Sequence, residues 1–309
     1  MSYRERNRGI ITWSKFCCFE TLPELYKLKY VDEVIPESHS LALTMGTALD
    51  VYVQDEFDDT FVVVGRQYDV AEKIESLEKE ISELKQELGD KSHKSKEKKL
   101  ERLVKNLFQE RKNLNKQQIT TAAYNKVIEC VEELRSQPLY HCEDGANQHS
   151  FTFEYRGHTF GGTLDVFLKD KKLISDVKTA ASIDGLYKPS RFYQGRPIID
   201  KYFDQLTWYQ WLVEKNEKIV CDGELQVVTK ESPPRSCFFW ADSDQLYENR
   251  IQLIERIDRM VDMIDSNTYP TFHDIEEPSG RMKLLRSEVY GYSPHSKQKE
   301  HIPIDYRPF

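Results

Sequence analysis

GTLDVFLKDKKLISDVKTA, residues 162–180, is the stretch on which the reading of this chain turns. Leu173 to Lys178 has the composition of a strand, in which successive side chains point to opposite faces. Asp176 and Lys178 then share one face, and Val177 turns to the other. Asp165 ends the preceding apolar run, and a turn through Asp170 and Lys171 brings it alongside Asp176. Two carboxylates and one ammonium would meet at a single spot. Burying that trio is expensive, because one lysine neutralises only one of two mutually repelling acids. A hard divalent cation resolves the conflict, since Mg2+ and Mn2+ take oxygen ligands and keep several waters. Such an ion lowers the pKa of a bound water and offsets charge growing on a phosphoryl oxygen. Lys178 is placed to orient or deprotonate the attacking water, or to stabilise transition-state charge. The bland alternative is a surface hairpin with solvated Asp and Lys side chains. A D-x-K triplet alone is common, so the flanking sequence has to decide.

Downstream and upstream of that centre the period of the apolar residues assigns the elements. Residues 150–180 alternate apolar and polar, with turn chemistry at Arg156-Gly157 and at Lys169 to Lys172, which predicts three strands of a meander. Residues 202–214 predict a helix, 223–230 and 235–241 predict strands flanking Pro233-Pro234, and 243–266 predicts a long helix. On the N-terminal side, 120–136 reads as an amphipathic helix ending before Pro138, and 40–57 as another helix. Residues 10–30 read as a helical opening, with Ser14 as a cap and Pro23 at the start of a second helix. The tail, 270–309, is expected to be irregular, and its basic residues Arg281, Lys283, Arg286, Lys297 and Lys299 to be solvated or to touch phosphates. The sum is an α/β fold: a mixed central sheet flanked by helices.

One segment departs from that pattern. Ile74, Leu77, Ile81, Leu84 and Leu88 step by three and four, GDKSHKS (89–95) breaks the run, and Leu100, Val104, Leu107 and Leu114 resume it. This predicts an antiparallel helical hairpin with a coiled-coil seam, inserted into the main fold. Residues 72–88 carry six Glu against three Lys, whereas 91–116 carry ten Lys or Arg against three Glu. Either the arms simply attract each other, or the basic arm also contacts DNA or a partner. The expected division is 1–69 as an N-terminal helical part, 70–118 as the inserted hairpin, 119–270 as the core and 271–309 as the tail.

Composition sets outer bounds. The chain has 309 residues, 39% hydrophobic and 31% charged, which permits a packed core and disfavours global disorder. Its formal net charge of −8 argues mildly against nucleic acid, although a cluster of catalytic carboxylates adds negative charge that cations neutralise. The six cysteines form no C-x-x-C pair, as expected for a reducing compartment. No apolar run approaches a membrane span and the first residues are polar, so the expectation is a soluble protein of the cytoplasm, in a bacterium or a phage-infected cell. No G-x-S-x-G elbow, Walker A loop or H-E-x-x-H helix is present, and the eight histidines are scattered without ligand spacing.

Four features in order resemble the RecB-type nucleases of the PD-(D/E)XK superfamily, a group that includes phage recombination exonucleases and CRISPR adaptation nucleases. WSKFCCFETLPELYKLKY (13–30) resembles the opening helix pair, GTALD (46–50) the G-x-x-x-H motif, GGTLD with DVK the catalytic core, and Gln205 with Tyr209 the Q-x-x-x-Y helix. The likeness covers residues 10–57 and 119–266. It implies that Asp165, Asp176 and the Val177 carbonyl hold Mg2+ or Mn2+, that Lys178 is catalytic, and that Gln205 and Tyr209 line the site and position DNA. Asp50 stands where the family often has His; a hard oxygen ligand there leaves a metal role open, as it does a plain surface carboxylate. Some relatives hold an iron–sulfur cluster, but no Cys follows Cys237, and no cluster is expected. The resemblance implies a metal-dependent DNA exonuclease in end processing or recombination. A structure- or site-specific endonuclease and a non-catalytic DNA-binding scaffold are the alternatives. An annealing protein or helicase docking on the 72–116 hairpin would fit the first reading, and the oligomeric state stays open.

Overall fold

The computed structural model describes residues 9–35, 41–53, 57–88, 94–114, 116–137, 147–189, 196–271 and 274. The chain divides into two compact units, one comprising 1–38 with 133–309 and the other 39–132. The basic tail residues singled out above, together with Pro138, His141 and Cys142, lie outside the described residues.

The first unit is built on a six-stranded mixed sheet with the spatial order β1-β5-β6-β7-β8, and with β4 on the remaining edge of β5. The strands are β1 (Ile10–Thr12), β4 (Asn147–Tyr155), β5 (His158–Leu168), β6 (Leu173–Ala180), β7 (Asp222–Thr229) and β8 (Ser236–Ala241). β4, β5 and β6 form the expected antiparallel meander. Its first turn is a two-residue loop in which Arg156 and Gly157 both take positive φ, 49° and 82°, the geometry that matches the twist of a hairpin. Its second closes with the Lys172 amide donating to the Lys169 carbonyl. β6 then pairs parallel with β7, which requires a crossover, and β7 returns to β8 antiparallel.

Helices supply that crossover and cover the sheet. They are α1 (Trp13–Thr21), the short α2 (Pro23–Tyr26) continuing into a π-helical turn, Lys27–Val31, then α8 (Ile183–Tyr187), α9 (Ile198–Glu217) and α10 (Ser243–Asp265). α9 carries Leu206, Trp208, Tyr209, Trp211, Leu212 and Val213 into the core, against Phe160 and Leu164 of β5, Ile174 of β6, and Leu225 and Val227 of β7. Trp208 and Trp211 are buried, as core residues rather than base-stacking platforms. α10 opens with a reciprocal cap: Asp242 accepts from the Gln245 amide while the Gln245 side chain accepts from the Asp242 amide.

Two local expectations are corrected. Residues 10–12 do not begin a helix; they form β1, parallel to Thr159–Gly161 of β5. The residue at the N-cap of α1 is therefore Thr12, not Ser14, and it makes no side-chain capping bond. Pro23 does start a helix.

The second unit holds α3 (Leu41–Val53), α4 (Phe57–Thr60), β2 (Phe61–Val64), α5 (Val70–Leu88), α6 (Lys94–Asn113), β3 (Gln117–Thr120) and most of α7 (Thr121–Arg135). β2 and β3 pair in parallel over four residues. α5 and α6 are the connection between them. The helices pack along a seam of Leu77, Ile81, Leu84 and Leu103, flanked by Leu100 and Leu107. Ion pairs Glu87–Lys96, Glu80–Lys99 and Glu78–Arg111 run antiparallel beside it. At the base, the Tyr68 amide donates to Gln118 Oε1 at 3.0 Å and Gln118 Nε2 donates to the Tyr68 carbonyl at 2.7 Å, tying the start of α5 to β3. No helix among the described residues is long and apolar enough to cross a membrane.

Candidate active site

The site grows out of an interruption in the sheet. One edge of β5 is paired with β4 along Asn147–Tyr155. On its other edge, β1 pairs with Thr159–Gly161 and β6 with Val166–Leu168. Gly162 to Asp165 thus lie between two partners. The ladder with β6 ends at the Val166–Ser175 pair, and beyond it the Val177 amide donates to Asp165 Oδ2 at 2.9 Å. A side-chain carboxylate has replaced a backbone acceptor, which fixes Asp165 against β6. Asp165 lies within β5, three residues before its end, not at its terminus.

The two glycines of GGTLD allow other elements to pack closely on β5. A Cβ at Gly161 would lie 2.8 Å from Ile10 Cγ2 and 2.9 Å from Thr152 Cγ2, and one at Gly162 would lie 3.0 Å from Tyr209 Cε1. Gly162 therefore lets the Tyr209 ring rest on the strand just before Asp165.

Asp176 is fully buried. Lys178 Nζ stands 2.5 Å from Asp176 Oδ2 and 3.3 Å from the Val177 carbonyl oxygen. Neither carboxylate oxygen of Asp176 meets a well-directed hydrogen-bond donor among the described residues. Burial pushes the Asp176 carboxyl up to about 7; Lys178 opposes the shift and the neighbouring Asp165 carboxylate, within hydrogen-bonding reach, adds to it. The three side chains read from the sequence as a trio are thus brought together.

α9 closes over them. Gln205 Nε2 donates to Tyr209 Oη at 2.7 Å, so the two residues share one helix face and one hydrogen bond. Burial pushes the Tyr209 hydroxyl up, with Asp176 adding, Lys178 opposing, and Asp165 adding again. Tyr202, one turn before Gln205 on the same face, also has its hydroxyl pushed up by burial, and it too sits in the field of Lys178 and Asp176. Sequence reading passed over Tyr202; its spacing of three from Gln205 and seven from Tyr209 was the available signal.

On the opposite face of β6 lies a second buried polar group. Ser175 Oγ donates to Glu224 Oε1 at 2.8 Å, and Gln226 Nε2 donates to both, at 2.8 and 2.7 Å. All three are buried, and nothing in the sequence pattern marked them. Behind α9, Asp204 accepts from Arg196, Asn249 and Arg256, and Arg256 also grips Glu20 with two donors.

Asp50 lies on α3 of the second unit and is half-buried. Cys17 and Cys18 pack as half-buried side chains against the core, and burial pushes the Cys17 thiol up to about 12. His158 bonds Asp265 at 2.8 Å.

The donor set suits a hard divalent cation. Asp165 and Asp176 present two carboxylates to one spot, and among the described residues neither Asp176 oxygen meets a well-directed donor. Mg2+ is ordinarily held by one or two carboxylates with water filling the rest. Among the described residues no three His, Cys, Asp or Glu side chains form a closed protein cage.

Comparison with known proteins bears on the same region. The model of a family described as "PDDEXK-like domain of unknown function (DUF3799)" matches residues 13–276. The crystal structure of a "Putative exonuclease" from Eubacterium rectale superposes with a TM-score of 0.58 at 15% identity, covering 91% of this chain and 95% of that one. A phage related exonuclease from Haemophilus somnus 129PT shares 16% identity over 45% of this chain and 74% of its own, with a TM-score of 0.23. A search of curated proteins found no match.

Proposed function

The chain belongs to the PDDEXK-like family, and from that premise we propose that it hydrolyses phosphodiester bonds in DNA with the aid of Mg2+ or Mn2+. The observation that carries this reading is the Asp176 carboxylate: it is fully buried, beside a second acid, and has one ammonium for company. A fold does not keep such a group for stability, since a buried carboxylate lacking directed donors costs free energy.

Asp165, Asp176 and the Val177 carbonyl are the groups that would hold the cation. When bound, the ion supplies Lewis-acid activation of a water and neutralisation of phosphoryl charge. Lys178, 2.5 Å from Asp176 Oδ2, would stand beside the reacting phosphate, where it would orient or deprotonate the attacking water or stabilise charge developing on oxygen. The Asp165 bond to the Val177 amide holds the β6 backbone, and with it the Val177 carbonyl, in place. Tyr209, oriented by Gln205, packs over Gly162 and walls the acids from bulk water, while Gln205 keeps polar capacity for the DNA strand.

Action from DNA ends is the preferred mode. The resemblance to recombination exonucleases supports it, and the Eubacterium rectale protein of the same fold carries the exonuclease description. Linear duplex and covalently closed circular DNA, incubated in parallel with Mn2+, Mg2+ or EDTA, test both halves of the proposal. Wild type should shorten the linear DNA only when a divalent ion is present, and Asp165→Ala should not. Cleavage of the closed circle as fast as the linear form would rule out exonuclease action. Equal background from wild type and Asp165→Ala would rule out the enzyme.

A further inference from the structure

Helix α6 bears a row of cations that the catalytic reading leaves unused. Seen down the helix, Leu100, Leu103 and Leu107 form the seam against α5. The ion pairs beside the seam employ Lys96, Lys99 and Arg111. Lys98, Arg102, Lys105 and Lys112 are spaced by four, three and seven residues, and at about 100° per residue they fall on the side opposite the seam. All four are exposed, and none enters an ion pair among the described residues. The row is about 21 Å long at ~1.5 Å per residue. Beside it stand two apolar side chains, Val104, 47% exposed, and Phe108, 62% exposed. Lys112 Nζ sits 4.7 Å from the Phe108 ring centroid.

The geometry points to a DNA-backbone contact on this face of α6, with Phe108 as a stacking surface for an unpaired base. It rests on the nuclease reading for its substrate class. A DNA strand offers one phosphate about every 3.4 Å of axis, so the row faces roughly six phosphates of one strand. A row of cations with an aromatic beside it is the arrangement by which proteins track single strands, phosphates to the basic groups and bases to the ring. An acidic protein surface is the competing occupant. The face favours DNA because its apolar content is two side chains, far short of the apolar centre that a stable protein interface buries. The charge is also local: α6 holds eight Lys or Arg against three Glu in a chain whose net charge is −8.

The test is fluorescence anisotropy of the full chain in EDTA, with a labelled oligo(dT) and a labelled duplex, over a salt series. The variant Lys98→Ala/Arg102→Ala/Lys105→Ala/Lys112→Ala keeps the seam and uses the best helix former, so thermal unfolding should be unchanged. A control variant neutralises Lys73, Lys79 and Lys85 on α5. The slope of log Kobs against log salt should flatten by about 2–4 in the α6 variant, as loss of four phosphate contacts requires, and should not change in the control. Phe108→Ala should weaken oligo(dT) at least about fivefold and spare the duplex. Wild type that fails to bind DNA, or an α6 variant with the wild-type slope, would overturn the proposal and leave the face to an acidic protein or to solvent. Unchanged oligo(dT) affinity in Phe108→Ala would overturn the stacking contact. A wild type that shows the α6-dependent slope but cleaves nothing with Mn2+ would sink the nuclease reading alone. Cleavage lost in Asp165→Ala, with no α6-dependent slope, would sink this one alone.

Discussion

Replacing Asp176 by Asn should make the metal-free protein more stable while removing its activity. The Asp176 carboxyl is displaced from 3.8 to about 7 by burial, against the pull of Lys178. Each unit is worth about 1.4 kcal/mol, so the displacement corresponds to roughly 4 kcal/mol of native stability forgone once the group is ionised in both states. The sign follows from the direction. The folded value is raised, so the folded state binds the proton more tightly than the unfolded chain does. Stability from this group is full below about 4, falls as pH rises towards about 7, and is flat above.

An Asn side chain removes the charge but brings its own amide into a site with no partner for it, so only part of the cost returns. The expected gain is about 1–3 kcal/mol at pH 8 in EDTA, a rise of several degrees in midpoint for a chain of this size. The assay is thermal unfolding at pH 5 and pH 8, with EDTA and with Mn2+. In EDTA the two proteins should converge at pH 5 and separate at pH 8. With Mn2+ the order should reverse, because an ion bound only by the folded wild type adds about 4.1 kcal/mol at a thousandfold excess over its dissociation constant. An Asn variant less stable than wild type at pH 8 in EDTA would refute the reasoning, since it would mean that the ionised carboxylate stabilises the empty site.

Lys178→Met should lower the cleavage rate at least about a thousandfold while leaving the Mn2+-induced rise in midpoint in place, because it removes a positioned ammonium and no metal ligand; single-turnover cleavage beside thermal unfolding separates the two. Gly162→Ala should cost about 1–3 kcal/mol by overpacking, since its Cβ meets Tyr209 Cε1 at 3.0 Å and Leu212 Cδ1 at 3.1 Å, and urea unfolding should show it together with lower activity. Tyr209→Phe should reduce activity about tenfold with little change in stability, as it removes the hydroxyl that Gln205 bonds; a fall in the urea midpoint as large as that of Gly162→Ala would contradict the orienting role. Arg256→Ala should destabilise by about 3–5 kcal/mol, because it strips the buried Asp204 of a close donor and removes the two guanidinium bonds to Glu20.

The parts of the fold visible in the sequence are those governed by local rules. Alternation over 150–180 reports a strand's two faces, and Arg156-Gly157 reports a turn because few residues accept positive φ, so the meander could be read directly. The steps of three and four likewise reveal the seam in α5, whereas in α6 it runs through Leu100, Leu103 and Leu107 and leaves Val104 and Leu114, expected in it, 47% and 50% exposed. β1, β2 and β3 were not legible, for one common reason. Each is three or four residues long and becomes a strand by pairing in parallel with a partner 53 residues or more away, too short a stretch to establish a period of its own. The site divides in the same way. Asp176 and Lys178 are two apart on one strand, and Gln205 and Tyr209 four apart on one helix, so their company follows from repeat geometry. Tyr202 obeys the same helical spacing, yet a tyrosine on an apolar helix face gives no sign that an ion pair lies opposite. The Ser175–Glu224–Gln226 cluster depends on the β6–β7 register, which is set by the crossover through residues 181–221 and by nothing local.

The place where the ladder fails is what makes the site. In a continuous sheet the Val177 amide would serve a backbone carbonyl across the strand, and Asp165 would have no reason to be held. Here β1 and β6 share one edge of β5 and leave Gly162 to Asp165 between them. The gap leaves a donor to spare, the Asp165 carboxylate takes it, and the acid is fixed beside Asp176. Gly162 lets α9 press Tyr209 onto that gap, and the burial raises the cost of the paired charges. Neither a stronger sheet nor a wetter cleft would do this: the first would bind the amide to backbone, and the second would solvate Asp176 and weaken its need for a cation. Short β1 is therefore a determinant of the proposed site. Any change that lengthened its pairing with β5 past Gly161 should draw Asp165 out of register and lower metal affinity without touching a ligand.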